Sequence, residues 1–212
     1  EYIITNPNTP RPWFNYLFND IYHCLVSHTG GGFSYLKDPK YHRILRYDHI
    51  SNDRPGRYVY VRDNKTGEYY SLNWQPTRNE LDKYECRQGL GYTIISTENK
   101  GIKGEITYLV TQKDPLESWL VKLENTTKET KDLSLFPFVD FVSGDVALEV
   151  HYRNILCLYN QAEFDKDANG IVAFKHSFKE RLKFGFSFLA TSAKISGYDC
   201  RREVFLGRYN DP

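Results

Sequence analysis

The 212-residue sequence predicts an all-β fold, a large two-sheet antiparallel sandwich with little helix. Short runs of strand-forming residues alternate with clusters of Gly, Asn, Asp and Pro. Apolar residues rarely recur at the three-and-four spacing of an amphipathic helix. Aromatics reach 16% of the chain, and Tyr and Phe are favoured where side chains pack on a pleated surface.

Taken in order, Asn6-Pro7-Asn8-Thr9-Pro10-Arg11-Pro12-Trp13 cannot be helix or central strand, because three prolines remove amide donors. The segment reads as an extended stretch over a sandwich edge. Residues 21–28 form a β-rich run that ends at Thr29-Gly30-Gly31-Gly32, and 33–36 form the next. Residues 57–62 and 68–72 flank Asp63-Asn64-Lys65-Thr66-Gly67 and read as a hairpin. A second hairpin is expected from 92–97 and 102–110 around Glu98-Asn99-Lys100-Gly101. Trp119, Val121 and Leu123 then alternate on one strand face, and 133–141 follow. Val146, Leu148, Val150 and Tyr152 also alternate, so residues 145–169 read as a long excursion between strands with at most a short helical turn. Runs at 171–178, 184–191 and 204–209 complete about a dozen strands, more than a seven-stranded immunoglobulin-type domain holds.

At ~100–200 residues per domain the length suits a single domain over 1–212. The charge of 28 Lys+Arg against 27 Asp+Glu argues against nucleic-acid partners, and no apolar run approaches the ~18 residues of a membrane span. The opening Glu1-Tyr2-Ile3-Ile4-Thr5 lacks the basic start of a signal peptide. Methionine is absent, although a translated chain needs an initiator. The expectation is a piece of a longer gene product, or a sequence from which methionines have been dropped. Cys24, Cys86, Cys157 and Cys200 form no CxxC pair and read as reduced, mostly buried thiols. Asn64 and Asn125 begin Asn-x-Thr triplets that also suit ordinary turns.

Catalytic signatures are missing. There is no GxSxG elbow, HExxH, P-loop or Rossmann glycine pattern. His23 and Cys24 would point to opposite strand faces, and with His28 they form no zinc set. Of the carboxylates Asp48, Asp53, Asp63, Glu85, Asp140, Asp145 and Glu149, most read as solvated turn or edge groups. No pair stands out for glycoside chemistry. The aromatic surplus suits either sugar stacking or a sandwich core. Two segments remain as candidates. His151-Tyr152-Arg153-Asn154 gathers a phenol, a guanidinium and an amide, groups that bind phosphate, carboxylate or sugar hydroxyls; its plain alternative is a loop arginine in a surface ion pair. Gly30-Gly31-Gly32-Phe33-Ser34-Tyr35-Leu36-Lys37-Asp38 suits either close backbone approach to a ligand or a tight turn.

Several stretches together resemble the cellobiose, chitobiose and laminaribiose phosphorylases of glycoside hydrolase family 94. They are residues 1–17, Ser27-His28-Thr29-Gly30-Gly31-Gly32-Phe33-Ser34-Tyr35, Arg54-Pro55-Gly56-Arg57-Tyr58-Val59-Tyr60 and Trp74-Gln75-Pro76. Glu85-Cys86-Arg87-Gln88-Gly89-Leu90-Gly91-Tyr92, Phe138-Val139-Asp140-Phe141 and Phe205-Leu206-Gly207-Arg208-Tyr209 complete the set, in family order along the whole chain. The resemblance implies the N-terminal supersandwich of a longer glycosyltransferase-class enzyme, continued by a helical linker and an (α/α)₆ barrel that carries the general-acid Asp. No catalytic residue and no metal site is then expected within this chain. The implied reaction is inverting phosphorolysis of a β-linked disaccharide. Inorganic phosphate is the co-substrate, no cofactor is used, and the products are an α-sugar 1-phosphate and a free sugar. The resemblance also implies a cytoplasmic homodimer, in which loops of this domain reach the partner's active site. The segment corresponding to the family's Gln-Arg-Asn is Tyr152, Arg153 and Asn154, and Leu36 stands where the family has Tyr. Both departures fall where acceptor-sugar contacts are expected, which leaves the disaccharide open, with gluco and N-acetylglucosamine donors both in view. The rival readings are a stand-alone carbohydrate-binding module and a pure dimerisation scaffold.

Overall fold

The computed structural model describes residues 1–48, 53–176, 185–207 and 210, and only the backbone of 153, 154, 156 and 157. The strands in chain order are β1 (Tyr2–Ile4), β2 (Phe14–Phe18), β3 (Tyr22–Ser27), β4 (Ser34–Leu36), β5 (Arg43–Leu45), β6 (Tyr58–Asp63), β7 (Tyr69–Ser71) and β8 (Lys83–Gly89). β9 (Tyr92–Asn99), β10 (Ile102–Val110), β11 (Glu117–Asn125), β12 (Leu133–Phe138) and β13 (Phe141–Gly144) follow. Next come helix α1 (Val146–Leu156), a 3₁₀ turn (Cys157–Tyr159), β14 (Asn160–Asp165), β15 (Gly170–Lys175), β16 (Phe186–Ala190) and helix α2 (Arg202–Leu206). The all-β reading holds, and every strand pair among the described residues is antiparallel.

The chain divides into two compact units. Residues 1–33 and 47–139 form the first, and 34–46 and 140–212 the second. In the first unit, β1, β8, β9, β10 and β11 form one sheet and β12, β6 and β7 another, with β2 and β3 paired as a hairpin. Both expected hairpins are present. The β9–β10 turn needs two residues at positive φ, and Lys100 and Gly101 supply them at 49° and 77°, the backbone of a primed turn that matches strand twist. Along β9 and β10 burial alternates, so Ile95, Ile102, Ile106 and Tyr108 face the core while Lys103 is exposed and Glu105 and Thr107 are half-buried. Leu17, Val26, Val59, Val61 and Leu72 complete the core from the other strands. The proline-rich opening is irregular backbone, as expected, although the residues before it add β1 to the edge of β8.

In the second unit β4 pairs with β5, β5 with β13, and β14, β15 and β16 form an antiparallel meander. Two sequence expectations are corrected here. The 145–169 excursion contains an eleven-residue helix rather than a short turn, and the strand β14 as well, and the run at 204–209 begins inside α2 rather than a strand. The first error has a physical cause. Asp145 caps α1, its Oδ1 accepting from the amides of Ala147 (2.8 Å) and Leu148 (3.2 Å). The apolar alternation that suggested a strand lies largely in solvent, with Val150 and Tyr152 exposed.

Candidate functional site

The segment His151-Tyr152-Arg153-Asn154 lies in the second half of α1, where the helix kinks. Tyr152 leaves helical geometry with φ −130° and ψ 27°. Its side chain is exposed, and the neighbouring His151 ring, tilted 43° to it, approaches the Ala147 carbonyl at 2.7 Å through Nδ1. The side chains of Arg153 and Asn154 lie outside the described residues. Leu36 closes β4, half-buried, with its amide donating to the His42 carbonyl at 3.1 Å. The structure links Leu36 to α1 through β5 and β13, the strand that leads into the helix.

The base of α1 is fixed by charge. Arg46, just beyond β5, donates to both oxygens of Asp140 from Nη1 at 2.8 and 2.9 Å. It also donates to Oε1 of Glu149 from Nε at 2.9 Å and Nη2 at 2.6 Å. The three side chains are 12%, 9% and 8% exposed, so this is a buried ionic cluster on the helix. Arg202, which opens α2, adds a second cation 3.3 Å from Asp140. Burial works against the Arg46 charge, but Asp140 and Glu149 outweigh it and hold its pKa above the ordinary value. Lys175 donates to the Val142 carbonyl at 3.2 Å. Burial lowers its pKa, with Glu149 pulling it back up, the Arg46 charge lowering it further and Asp145 raising it. The backbone contributes two more ties, from the Val146 amide to the Lys40 carbonyl (2.9 Å) and from the Arg46 amide to the Asp140 carbonyl (2.8 Å).

The glycine-rich segment resolves differently. Asp53, at φ 57°, accepts from Thr29 Oγ1 (2.7 Å), Tyr47 Oη (3.0 Å) and Ser27 Oγ. Burial raises the Asp53 pKa, and these three hydroxyls and His28 act against the rise. A Cβ at Gly31 would overlap the Asp53 carboxylate, and one at Gly30 would meet the Asn73 amide and the Arg57 carbonyl. Gly30 and Gly31 therefore admit other parts of the same unit, a close approach that neither the ligand reading nor the tight-turn reading names. Asp53, Asp140 and Glu149 are also not the solvated edge groups the sequence suggested. A sequence signal for the helix, though not for the ionic cluster, existed in Asp145 as an N-cap ahead of Val146-Ala147-Leu148-Glu149.

Elsewhere, a groove of about 820 Å³ lies over β8, β9 and β10, with Trp74 and Tyr84 beside alternating charges such as Lys83, Glu98 and Lys103. Cys24 and Cys86 are buried thiols, burial pushing the Cys86 pKa up to about 12. Among the described residues no cluster of His, Cys, Asp and Glu could hold a metal ion, and no helix is long and apolar enough to cross a membrane.

Comparison with known proteins adds a family. The family model described as "Glycosyl hydrolase 94, supersandwich domain" matches residues 1–212. The N,N'-diacetylchitobiose phosphorylase of Vibrio furnissii is 33% identical over 215 residues, covering 100% of this chain and 26% of the relative. The solabiose phosphorylase of Paenibacillus borealis is 32% identical over 214 residues, covering 100% and 27%. The 3-O-beta-D-glucopyranosyl-beta-D-glucuronide phosphorylase of the same species is 31% identical over 217 residues, covering 98% and 26%. The chain thus spans about a quarter of the length of these relatives.

Proposed function

The chain belongs to the glycosyl hydrolase 94 supersandwich family, and from that premise we propose that it is the N-terminal, non-catalytic domain of a longer inverting disaccharide phosphorylase. In this reading a phosphate oxygen attacks the anomeric carbon of a β-linked disaccharide from the face opposite the leaving sugar. A general acid outside this chain protonates the glycosidic oxygen. Phosphate takes the place of the activated water, so the second carboxylate of an inverting hydrolase is not required. The products are an α-sugar 1-phosphate and a free sugar. The enzyme is a cytoplasmic homodimer, and Leu36 with Tyr152, Arg153 and Asn154 borders the acceptor-sugar side of the partner subunit's active site.

The observation that carries this reading is the placement of 151–154. The kinked second half of α1, with His151 and Tyr152 exposed, follows a first turn that rests on a buried ion-pair base. The relatives named above are phosphorylases of N,N'-diacetylchitobiose, solabiose and 3-O-beta-D-glucopyranosyl-beta-D-glucuronide, and the substrate class follows them.

The test uses the intact protein. Replacing Arg153 by Ala removes one charge-assisted contact of about 1.5–3 kcal/mol, so phosphorolysis falls roughly ten- to hundred-fold with the dimer intact by size-exclusion chromatography. Unchanged kinetics sink the active-site role. Absence of sugar 1-phosphate formation across a panel of glucosyl and N-acetylglucosaminyl disaccharides favours the stand-alone binding module instead.

A further inference from the structure

We propose that Arg46, Asp140 and Glu149 act as positioning residues for the acceptor-side segment 151–154, setting the azimuth and height of α1; this rests on the active-site reading above. Glu149 lies four residues before Arg153 in the same element. Between them the helix breaks at Tyr152, so the second half of α1 is not held by an unbroken helical ladder. It follows the first turn through the backbone of residues 150–152, so the seat of that turn sets where the second half begins.

Three ties seat that turn. Lys40 receives the Val146 amide, Asp145 caps the next two amides, and the Arg46 fork grips Glu149. The first two, a backbone bond and a side-chain cap, hold only amides at the extreme end and leave the helix free to roll. The third is a side-chain fork lodged on the sheet side, with Asp140 locking the other edge of the same guanidinium. A planar guanidinium held by two carboxylates has little rotational freedom, so it indexes the helix.

Stability alone does not account for the arrangement. An apolar group of similar volume at Glu149 would fill the space without desolvating a charge, and buried ion pairs are commonly neutral or worse than apolar replacements. Glu149 is instead the most buried side chain described in α1, on a helix whose apolar Val150 and Ile155 are exposed. Its Oε2 makes no hydrogen bond among the described residues, so the grip runs through Oε1 alone. Charge placement here is poor for stability and good for register.

The experiment is steady-state kinetics on the intact protein with Glu149→Gln, Arg46→Lys, Arg153→Ala and the Glu149→Gln/Arg153→Ala double variant. A core variant in the first unit, Ile106→Val, serves as a comparison for loss of stability. Glu149→Gln keeps the volume and an acceptor oxygen but removes the charge. It is expected to raise the KM for the free acceptor sugar in the synthetic direction five- to tenfold, leaving the KM for phosphate within twofold. Arg46→Lys, which loses the fork but keeps the charge, should do the same. In the double variant the Glu149→Gln effect should vanish, because the group it positions is gone. If Arg153→Ala is itself silent, the active-site reading fails and the proposal falls with it. If Arg153→Ala is damaging while Glu149→Gln leaves acceptor KM unchanged, multiplies independently with Arg153→Ala, or matches Ile106→Val in shifting both KM values alike, the positioning role is refuted and the active-site reading stands.

Discussion

Arg57 offers the sharpest test of how the first unit is held together. Its side chain is fully buried, and its Nε and Nη2 donate to the two oxygens of Glu117 at 2.8 and 3.3 Å. Nη1 donates to the Leu25 carbonyl at 2.9 Å and reaches that of Gly31 at 3.5 Å, so one guanidinium joins the β2–β3 hairpin, the glycine loop and β11. Arg57→Met keeps most of the volume and removes every donor. Glu117, 11% exposed, retains the Trp119 indole N–H at 3.0 Å but loses its counter-charge. Breaking a buried pair from one side costs about 3–5 kcal/mol, because the remaining charge stays desolvated. For a chain of this size each kcal/mol moves the melting temperature by roughly 2–4 °C, so the expected fall is about 6–20 °C. Urea unfolding and scanning calorimetry of the 1–212 chain measure it. The double variant Arg57→Met/Glu117→Gln removes both charges and is expected to recover at least half of the loss. A single-variant loss below about 1 kcal/mol, or a double variant as unstable as the single, would refute the claim that the uncompensated charge dominates.

Two further outcomes follow from the same unit. His28 accepts from the Trp13 amide at Nδ1 (3.2 Å), so its proton sits on Nε2, facing the Pro7 carbonyl (3.0 Å) and Thr9 Oγ1 (3.1 Å). Burial lowers its pKa, with the Pro7 bond and the Asp53 charge pulling it back up. The unfolded chain therefore takes up the proton at higher pH than the folded one. The contribution of His28 is complete above about 6.5 and is lost as pH falls through the lowered folded value. Asp53, raised by burial, has the opposite sign, favouring the fold as it protonates from high pH downward. The difference between wild-type and His28→Gln unfolding curves isolates the histidine. It should shrink as pH drops below 6.5, and a difference constant from pH 7.5 to 5 would contradict the neutral-ring assignment. Gly31→Ala drives a Cβ into the Asp53 carboxylate and is expected to cost about 1–3 kcal/mol in urea unfolding; a loss under 0.5 kcal/mol would mean the loop is looser than its contacts indicate.

What the sequence revealed of the fold was decided by where local chemistry is self-sufficient. Lys100-Gly101 and the Asp63–Gly67 loop fix their hairpins with their own backbone and side chains. Asp63, for example, accepts the Lys65 and Thr66 amides while Gly67 takes positive φ. Nothing outside those few residues was needed to read them. The strand β1 was invisible for the complementary reason. Three residues become a strand there because the edge of β8 offers unpaired backbone, with Tyr2, Ile3 and Ile4 opposite Gln88, Arg87 and Cys86. The 204–209 run failed because two or three apolar residues cannot declare a period: Val204, Phe205 and Leu206 fit a strand or a single helical turn equally.

The candidate site was half legible, and the missing half is the charged one. Chemistry-bearing residues announce themselves by type, so His151-Tyr152-Arg153-Asn154 could be singled out with no structure. The residues that mount them could not, because Arg46, Asp140 and Glu149 are separated by up to 103 positions and each alone reads as a surface charge. A helix that buries its glutamate and exposes Val150 and Ile155 inverts the pattern on which periodicity depends, and that inversion turned α1 into an apparent excursion. The same inversion has a consequence for reading other helices. An apolar face left in solvent and a carboxylate drawn inward only make sense together if a partner cation waits in the core. Searching for an arginine just past the end of a buried strand, as Arg46 stands after Arg43-Ile44-Leu45, is therefore the sequence test for such a helix.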